Sequence, residues 1–367
     1  MDLNRNEKKL LKILEDNPYI SQKELAQNIE ISRPAVANLI SSLQSKGYIL
    51  GKPYVLSQYK YITCVGSANI DYTFKLEDDM KLGTSNPINS SISFGGVIRN
   101  VAENLARLDC KVSLMSLVGD DAYGENLIQS SKKIMEVFAI DKLKDKTTGG
   151  YFSIINPKGN MEVGYADMSI NSSMDRSWIL NHKRHLNLSS WIIADLNISK
   201  EAVESLIEFN RNENIPLGIV GVSTPKMKNL PDDIDGINIV ICNKDESQTY
   251  FKTNNENVDE LCRMWLDKGV KKAVVTDGVK GSYYGENQEV KHQNSFVVDG
   301  NKVVDVTGAG DAFSSALIYA LYSNYSFEDS MKIGTMSSSL TIQESFAVNP
   351  KLSINLIKKE LVNYENI

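Results

Sequence analysis

The stretch Val303–Leu321, VVDVTGAGDAFSSALIYAL, changes character twice. It opens β-branched, narrows to TGAGD and continues with small and apolar residues at helical spacing, so a helix begins at or just after the glycines. Without a Cβ at 308 and 310, successive N–H groups can point into one concavity where a helix over Ala312–Tyr322 starts. Amides and the helix dipole make such a concavity attractive to phosphate. Asp311, in the first turn, would repel a merely stored anion but is well placed to take a proton from an attacking hydroxyl. Taken alone, an acidic residue there is as readily a helix cap, and a GxG is weak evidence. Other phosphate loops fail on spacing. GYILGKP (Gly47–Pro53) has three residues between its glycines and Pro53 where a P-loop carries Ser or Thr, and GAGDAF has Phe313 in place of the third glycine of a dinucleotide fingerprint.

Upstream, apolar runs alternate with helix-like segments. YKYITCVGSANIDYTF reads as a β-branched run ending in GSANID (Gly66–Asp71), SISFGGVIRNVAENLARLD as a strand, a glycine pair and a helix, and KVSLMSLVGDD as a strand ending in Gly-Asp. SWIIADLNIS, IPLGIVGVST, GINIVICNKDES and KKAVVTDGVKGSYY follow. Such alternation predicts an α/β domain from about Tyr59 to residue 367, with a mostly parallel sheet covered on both faces. Ligands bind beyond the carboxyl ends of such strands.

A chain of 367 residues has room for an attached module. The net charge of −6 argues against a general polyanion binder. Cys64, Cys110, Cys242 and Cys262 lack CxxC spacing and read as thiols in a reducing, cytoplasmic setting. No signal-peptide layout and no membrane-length apolar run occurs, so no membrane partner is expected.

Residues 1–58 read as a separate unit. NEKKLLKILEDNP carries Leu10, Leu11, Ile13 and Leu14 at helical spacing, and SQKELAQNI opens with Ser21 and Glu24 in capping-box spacing. A third helix starts at Ser32 with Pro34 in its first turn, buries Val36, Leu39, Ile40 and Leu43, and leaves Arg33, Asn38 and Ser41 outward. YILGKPYVL then reads as a tight hairpin around Gly51 and Lys52. Three helices and a hairpin resemble the winged helix-turn-helix of many bacterial regulators, which implies contact with double-stranded DNA through Arg33, Asn38 and Ser41. Eight Lys or Arg against six Asp or Glu give this unit +2, a slight basic excess, and use of the module for dimerisation stays open.

FGGVIRNVAENLARLD (Phe94–Asp109) and DVTGAGDAF (Asp305–Phe313) resemble the paired signatures of the ribokinase-like (PfkB) sugar and nucleoside kinases, and NKDE (Asn243–Glu246) resembles that family's N-x-x-E element. The resemblance spans Tyr61 to about Leu356. It implies a ribokinase-like αβα sandwich with a small β lid, residues 74–94, of a kind often used for dimerisation, and hence a homodimer. Asp311 is then the catalytic base, and Gly308, Ala309 and Gly310 supply an anion hole, with Asp305 and Thr307 just before it. Asn69 and Asp71 hold ribose hydroxyls, while Gly95, Gly96 and Asn100 close over the sugar. Thr276, Gly278 and Gly281 of TDGVKG, with Asn243, line an ATP pocket, and Asn243 and Glu246 hold Mg²⁺ through water. Dependence on a monovalent cation such as K⁺ stays open. GSANID, SNPINSSISFGGVIRN, ADMSIN, ADLNIS and NPKLSI most resemble the pseudouridine kinases, implying transfer from ATP to the ribose 5′-hydroxyl of a nucleoside. Ribose, a purine nucleoside, or a nucleoside-sensing regulator without turnover are the alternatives. Two departures stand out: Ile98, where many members carry a small residue, is expected to narrow the sugar pocket, and GIVGVST lacks the Asp-Pro often found after that strand. Arg99 is either a plain ion pair or a ligand to base or phosphate.

Overall fold

Helix caps written into the sequence organise the amino-terminal unit of the computed structural model, which describes residues 3–18, 20–51 and 60–365. Helix α1 (Arg5–Asp16) opens on a reciprocal box between Asn4 and Glu7, and α2 (Gln22–Ile29) on the expected box between Ser21 and Glu24. In α3 (Arg33–Ser45) the Ser32 hydroxyl accepts from the Ala35 N–H, and Pro34 occupies the first turn, where a missing N–H costs nothing. Leu10, Leu14, Leu25, Ile29, Val36, Ile40 and Leu43 form their common core, with Leu39 only partly buried. Arg33, Asn38 and Ser41 are exposed on one face of α3, as expected. Its far end docks on the larger domain, where Asn187 Nδ2 donates to Ser45 O at 2.6 Å. The hairpin expected around Gly51 and Lys52 falls largely outside the described residues.

The larger domain contributes strands β1 (Tyr61–Val65), β2 (Asn69–Leu76), β3 (Ile88–Gly95), β4 (Val112–Gly119), β5 (Glu136–Leu143), β6 (Gly150–Ile155), β7 (Met161–Asp167), β8 (Ser189–Asp195), β9 (Leu217–Val220), β10 (Ile239–Asn243), β11 (Lys272–Thr276), β12 (Ser282–Glu286) and β13 (Glu289–Gln293). Its helices are α4 (Val97–Arg107), α5 (Ala122–Ser131), α6 (Arg176–Asn181), α7 (Lys183–Leu186), α8 (Lys200–Glu213), α9 (Lys244–Phe251), α10 (Val258–Asp267), α11 (Ala309–Tyr322), α12 (Phe327–Thr341) and α13 (Ile354–Glu365). Nine strands form one sheet in the order β13-β12-β11-β10-β9-β8-β1-β4-β5. From β5 to β11 every neighbouring pair is parallel, and β12 and β13 add an antiparallel edge. Because both faces are covered, the strands are apolar on both sides: Ile192 and Ala194 join one core cluster and Ile193, between them, the other.

The order runs outward in both directions from β1, which pairs with β4 on one side and β8 on the other. The chain leaving the carboxyl ends of β1 and β8 therefore diverges, which opens a crevice there. Over it lies a second sheet, ordered β3-β2-β6-β7. The apolar run 59–74 does not stay in one sheet: it leaves the large sheet after Val65 and enters the small one at Asn69. The small sheet thus includes 69–76 and 88–95, and also 150–167, which the sequence reading had not assigned. Helix α11 begins at Ala309, three residues before the expected Ala312, with Gly308 as its cap. Among the described residues no helix is long and apolar enough to cross a membrane.

Candidate active site

The crevice is organised around a carboxylate that sequence reasoning missed. Asp195, the last residue of β8, is fully buried and has no cationic partner within ion-pair distance among the described residues. It is held instead by N–H groups: Ser67 N (3.3 Å) and Ile98 N (3.2 Å) donate to Oδ2, Asn197 N (2.9 Å) to Oδ1, and Asn197 Nδ2 (3.1 Å) again to Oδ2. These donors belong to the chain after β1, the first turn of α4 and the chain after β8. One anion thereby fastens three segments, and burial still pushes its carboxyl above the ordinary aspartate range. Its sequence signals were an Asp closing an apolar run with Asn two residues on and its place in ADLNIS, neither of which assigned it a role.

Two of the expected site carboxylates converge beside it. Asn100 Nδ2 donates to Asp311 Oδ2 at 2.9 Å, tying the first turn of α4 to the first turn of α11. Asn100 therefore orients Asp311 rather than only facing the sugar. Asn69 Nδ2 donates to Asp71 Oδ1 at 2.7 Å. Desolvation pushes Asp311 up to about 7; the Asn100 amide works against the shift, and the nearby charges of Asp195 and Asp71 add to it. Asp71 is likewise pushed up to about 6 by desolvation, against the pull of the Asn69 amide and Arg99. A carboxylate that titrates near neutrality is suited to accept a proton at physiological pH.

The glycine pair permits this convergence. A Cβ on Gly95 would lie 2.0 Å from Asp71 Oδ2, and Gly96 combines φ +102° with Ser67 O only 2.4 Å from where its Cβ would be. The adjacent Ile98 corrects an expectation, and Arg99 takes the ion-pair one of its two readings. Ile98 does not narrow the pocket: its side chain is fully buried among Ile62, Cys64 and Val101, and its backbone N–H is what it gives the site. Arg99 is buried, with Nη2 on Glu103 at 2.9 Å and Nη1 on Phe94 O at 3.1 Å, which makes it part of the packing under the loop.

At the 308–311 loop the two glycines differ. Gly308 is needed for the backbone itself, with φ +79° and Ala347 O 2.0 Å from a built Cβ, whereas a Cβ on Gly310 meets nothing within 4 Å. Ala309 N turns back toward Val306 O at 3.3 Å, while Thr307 N is capped by Asp305 Oδ1 at 2.8 Å. The amides of Gly310 and Asp311 make no hydrogen bond among the described residues, so these two N–H groups face the open side. Asn243 and Thr276 close the adjacent strands β10 and β11 in register. Gly278 and Gly281 follow, with Val279 between them largely exposed (90%).

Asn243 and Glu246 form a capping box for α9, Asn243 N on Glu246 Oε2 at 2.9 Å and Glu246 N on Asn243 Oδ1 at 2.8 Å. Glu246 is buried against Gly221, without a cation, and its carboxyl is pushed up by desolvation and by Asp245. A buried carboxylate that lacks positive charge fits a hydrated dication nearby, and among the described residues no cluster of three His, Cys, Asp or Glu provides a closed metal cage.

The pattern of the pfkB family of carbohydrate kinases matches residues 59–354, and that of the winged helix-turn-helix DNA-binding domains residues 3–49. A sugar kinase of Escherichia coli K12 named YeiI and described as uncharacterized is 28% identical over 96% of this chain and 97% of its own. The pseudouridine kinase of the same organism is 28% identical over 80% of this chain and 94% of its own. Among solved structures, a carbohydrate kinase from Agrobacterium tumefaciens superimposes with a TM-score of 0.74 at 24% identity, covering 83% of this chain and 97% of the other. Arabidopsis thaliana ribokinase, solved with ribose and ATP, superimposes with a TM-score of 0.69 at 18% identity, covering 84% and 100%.

The raised carboxyls have a consequence for stability. Asp311 and Asp71 hold their protons to about 7 and 6 when folded, against the ordinary 3.8, so between these values the folded chain binds more protons than the unfolded one. Their contribution is therefore favourable at low pH and is lost as pH rises toward 7. Asp311→Asn should melt at a higher temperature than the parent at about pH 8, with the gap closing toward pH 4, as read by scanning calorimetry across that range. A gap independent of pH would show that Asp311 titrates normally.

Proposed function

The chain belongs to the pfkB family of carbohydrate kinases, and from that premise we propose that it transfers the γ-phosphoryl group of ATP to the 5′-hydroxyl of a nucleoside, with pseudouridine as the leading acceptor. The observation that carries the reading is Asp311 itself: a carboxylate raised toward neutrality, aimed by Asn100, at the positive end of α11 beside unpaired amides. In the reaction Asp311 accepts the proton of the acceptor hydroxyl as its oxygen attacks phosphorus. The N–H groups of Gly310 and Asp311 and the helix dipole stabilise the charge on the phosphoryl oxygens in flight. Asp71, held by Asn69, accepts hydrogen bonds from two vicinal ribose hydroxyls and so fixes which alcohol meets Asp311. Thr276, Gly278 and Gly281, with the exposed Val279 between the glycines, receive the base of ATP. Asn243 and Glu246 hold Mg²⁺ through its waters, and the ion supplies charge neutralisation at the triphosphate. The small sheet closes over the acceptor and excludes water from the transfer.

Support for pseudouridine within this class is the likeness to a pseudouridine kinase over 80% of this chain and 94% of that relative, together with GSANID, ADMSIN and ADLNIS. The four unpaired thiols are in keeping with a cytoplasmic setting. We propose further that residues 1–58 bind double-stranded DNA. The favouring observation is that Arg33, Asn38 and Ser41 share the free face of α3, while Lys46, on the docked end, is committed to Glu7 at 2.7 Å.

With ATP and a panel of pseudouridine, uridine, inosine and ribose, pseudouridine should give the highest kcat/KM, and Asp311→Asn should lower kcat about a thousandfold with ATP binding retained. Near-parental turnover by that variant removes Asp311 from the chemistry, and success on inosine with failure on pseudouridine overturns the acceptor. For the second reading, the full chain should shift DNA drawn from upstream of its own gene, and Arg33→Ala should weaken that shift at fixed salt. An unchanged shift would place the contact elsewhere.

A further inference from the structure

We infer that the face of the small sheet that carries Asp71 reads the heterocycle of the acceptor through a grid of hydroxyl groups, with Thr73, Ser93 and Tyr151 as the residues that set base specificity. The inference rests on the reading of Asp311 as base and Asp71 as ribose ligand. Side chains alternate across a strand, so Asn69, Asp71 and Thr73 share one face of β2. In the register of the sheet Asp71 stands beside Ser93 of β3 and Tyr151 of β6, and Thr73 beside Ser91 and Ser153. Residues directly opposite in neighbouring strands lie on the same face. One face of three strands therefore presents five hydroxyls around a carboxylate.

The opposite face is of another kind. It carries Tyr72, Phe74, Ile92, Phe152 and Ile154, with the Tyr72 and Phe152 rings stacked at 4.8 Å. That contrast assigns the hydroxyl face to the crevice, since Asp71 on it is near enough to add to the proton affinity of Asp311. A face built to cover a core would be apolar, and one built for solvent would carry charges. Around Asp71 this one has hydroxyls, with Lys75 only at the far end of β2, and those of Ser91, Ser93 and Tyr151 are poorly occupied within the protein. Ser91 and Ser93 are exposed, and among the described residues the Tyr151 hydroxyl reaches only the Met161 sulfur at 3.5 Å, whereas the buried Ser153 hydroxyl donates to Tyr72 O at 3.3 Å and lies 3.4 Å from Thr73 Oγ1. The facing positions of β7 are Ala166 and Gly164, and a Cβ on Gly164 would lie 2.8 Å from the Tyr151 hydroxyl, so the floor is left open for a ring and Tyr151 leans across it.

The acceptor's own geometry points the same way. With the 5′-hydroxyl at Asp311 and the vicinal hydroxyls at Asp71, the anomeric carbon projects away from Asp311. Thr73 lies about 7 Å further along β2 at the usual strand rise, roughly the width of a pyrimidine ring. Hydroxyls can both donate to a carbonyl and accept from an N–H, which matches a ring edge that alternates the two. A pyrimidinedione joined to the sugar through carbon keeps both ring N–H groups, whereas one joined through nitrogen keeps one. The grid accordingly favours the carbon-linked nucleoside, because the lost N–H leaves a pocket hydroxyl unpaired.

The test is steady-state kinetics of the full chain with pseudouridine and uridine, and with ribose as substrate or competitive inhibitor, for the parent, Tyr151→Phe and Thr73→Val/Tyr151→Phe. The double variant should raise KM for pseudouridine at least tenfold, leave kcat within about twofold and the ribose constant unchanged, and lower the preference for pseudouridine over uridine. Tyr151→Phe, which removes a single oxygen, should move the same quantities in the same direction and guards against misfolding of the double variant. Unchanged KM for pseudouridine, or an equal rise for ribose, overturns the inference while the kinase reading stands. A parent enzyme that phosphorylates no nucleoside overturns both.

Discussion

A single buried negative charge, the carboxylate of Asp195, holds the crevice together. An anion withdrawn from water needs donors, and here four N–H groups from three segments supply them. The donors are the backbone after β1, the first turn of α4 and the Asn197 that follows β8, so satisfying the charge fixes where the strand ends, the glycine pair and the helix meet. Once α4 is set, Asn100 is set with it, and through Asn100 so is Asp311. The position of the proposed base therefore depends on a residue that need not touch the acceptor.

The same arrangement sets the electrostatics. Desolvation raises all three carboxyls, and the like charges of Asp195 and Asp71 raise the cost of ionising Asp311 further. A carboxylate so placed binds a proton readily. The N-terminus of α11 supplies the compensating field, which acts on phosphate more than on the carboxyl because its free amides at 310 and 311 point to the open side.

How much of this the sequence disclosed depended on whether a feature is local. Helix caps are local, so Ser21 with Glu24, Ser32 and Pro34 were legible, and the three helices of the amino-terminal unit with them. The 308–311 loop and the Gly95–Gly96 pair were legible because their glycines stand out as local motifs, and three of the four are required by close contacts: Gly308 and Gly96 by backbone, Gly95 by the Asp71 carboxylate. Asp195 was not, since its partners lie 128 and 97 residues away in the chain. Ile98 was misjudged for a related reason: the pattern placed it near the sugar, but the helical turn sends its side chain into the core, while Arg99 follows its ion-pair reading through Glu103. Strand β7 escaped notice because it is almost wholly exposed and its residues show no apolar period, and the break between Val65 and Asn69 was hidden in a run that looks continuous. The resemblance to a kinase family rested on the local motifs and held over residues 59–354.

The central claim is that the acceptor alcohol and the migrating phosphoryl group meet at the first turn of α11. The most direct measurement is a crystal structure of the full chain with pseudouridine and a non-hydrolysable ATP analogue. The account predicts the 5′-hydroxyl within hydrogen-bond distance, about 3 Å, of an Asp311 carboxylate oxygen, and the terminal phosphate against the amides of Gly310 and Asp311. A terminal phosphate lodged elsewhere, or an acceptor whose hydroxyl faces another residue while Asp311 stays bound only to Asn100, would contradict it.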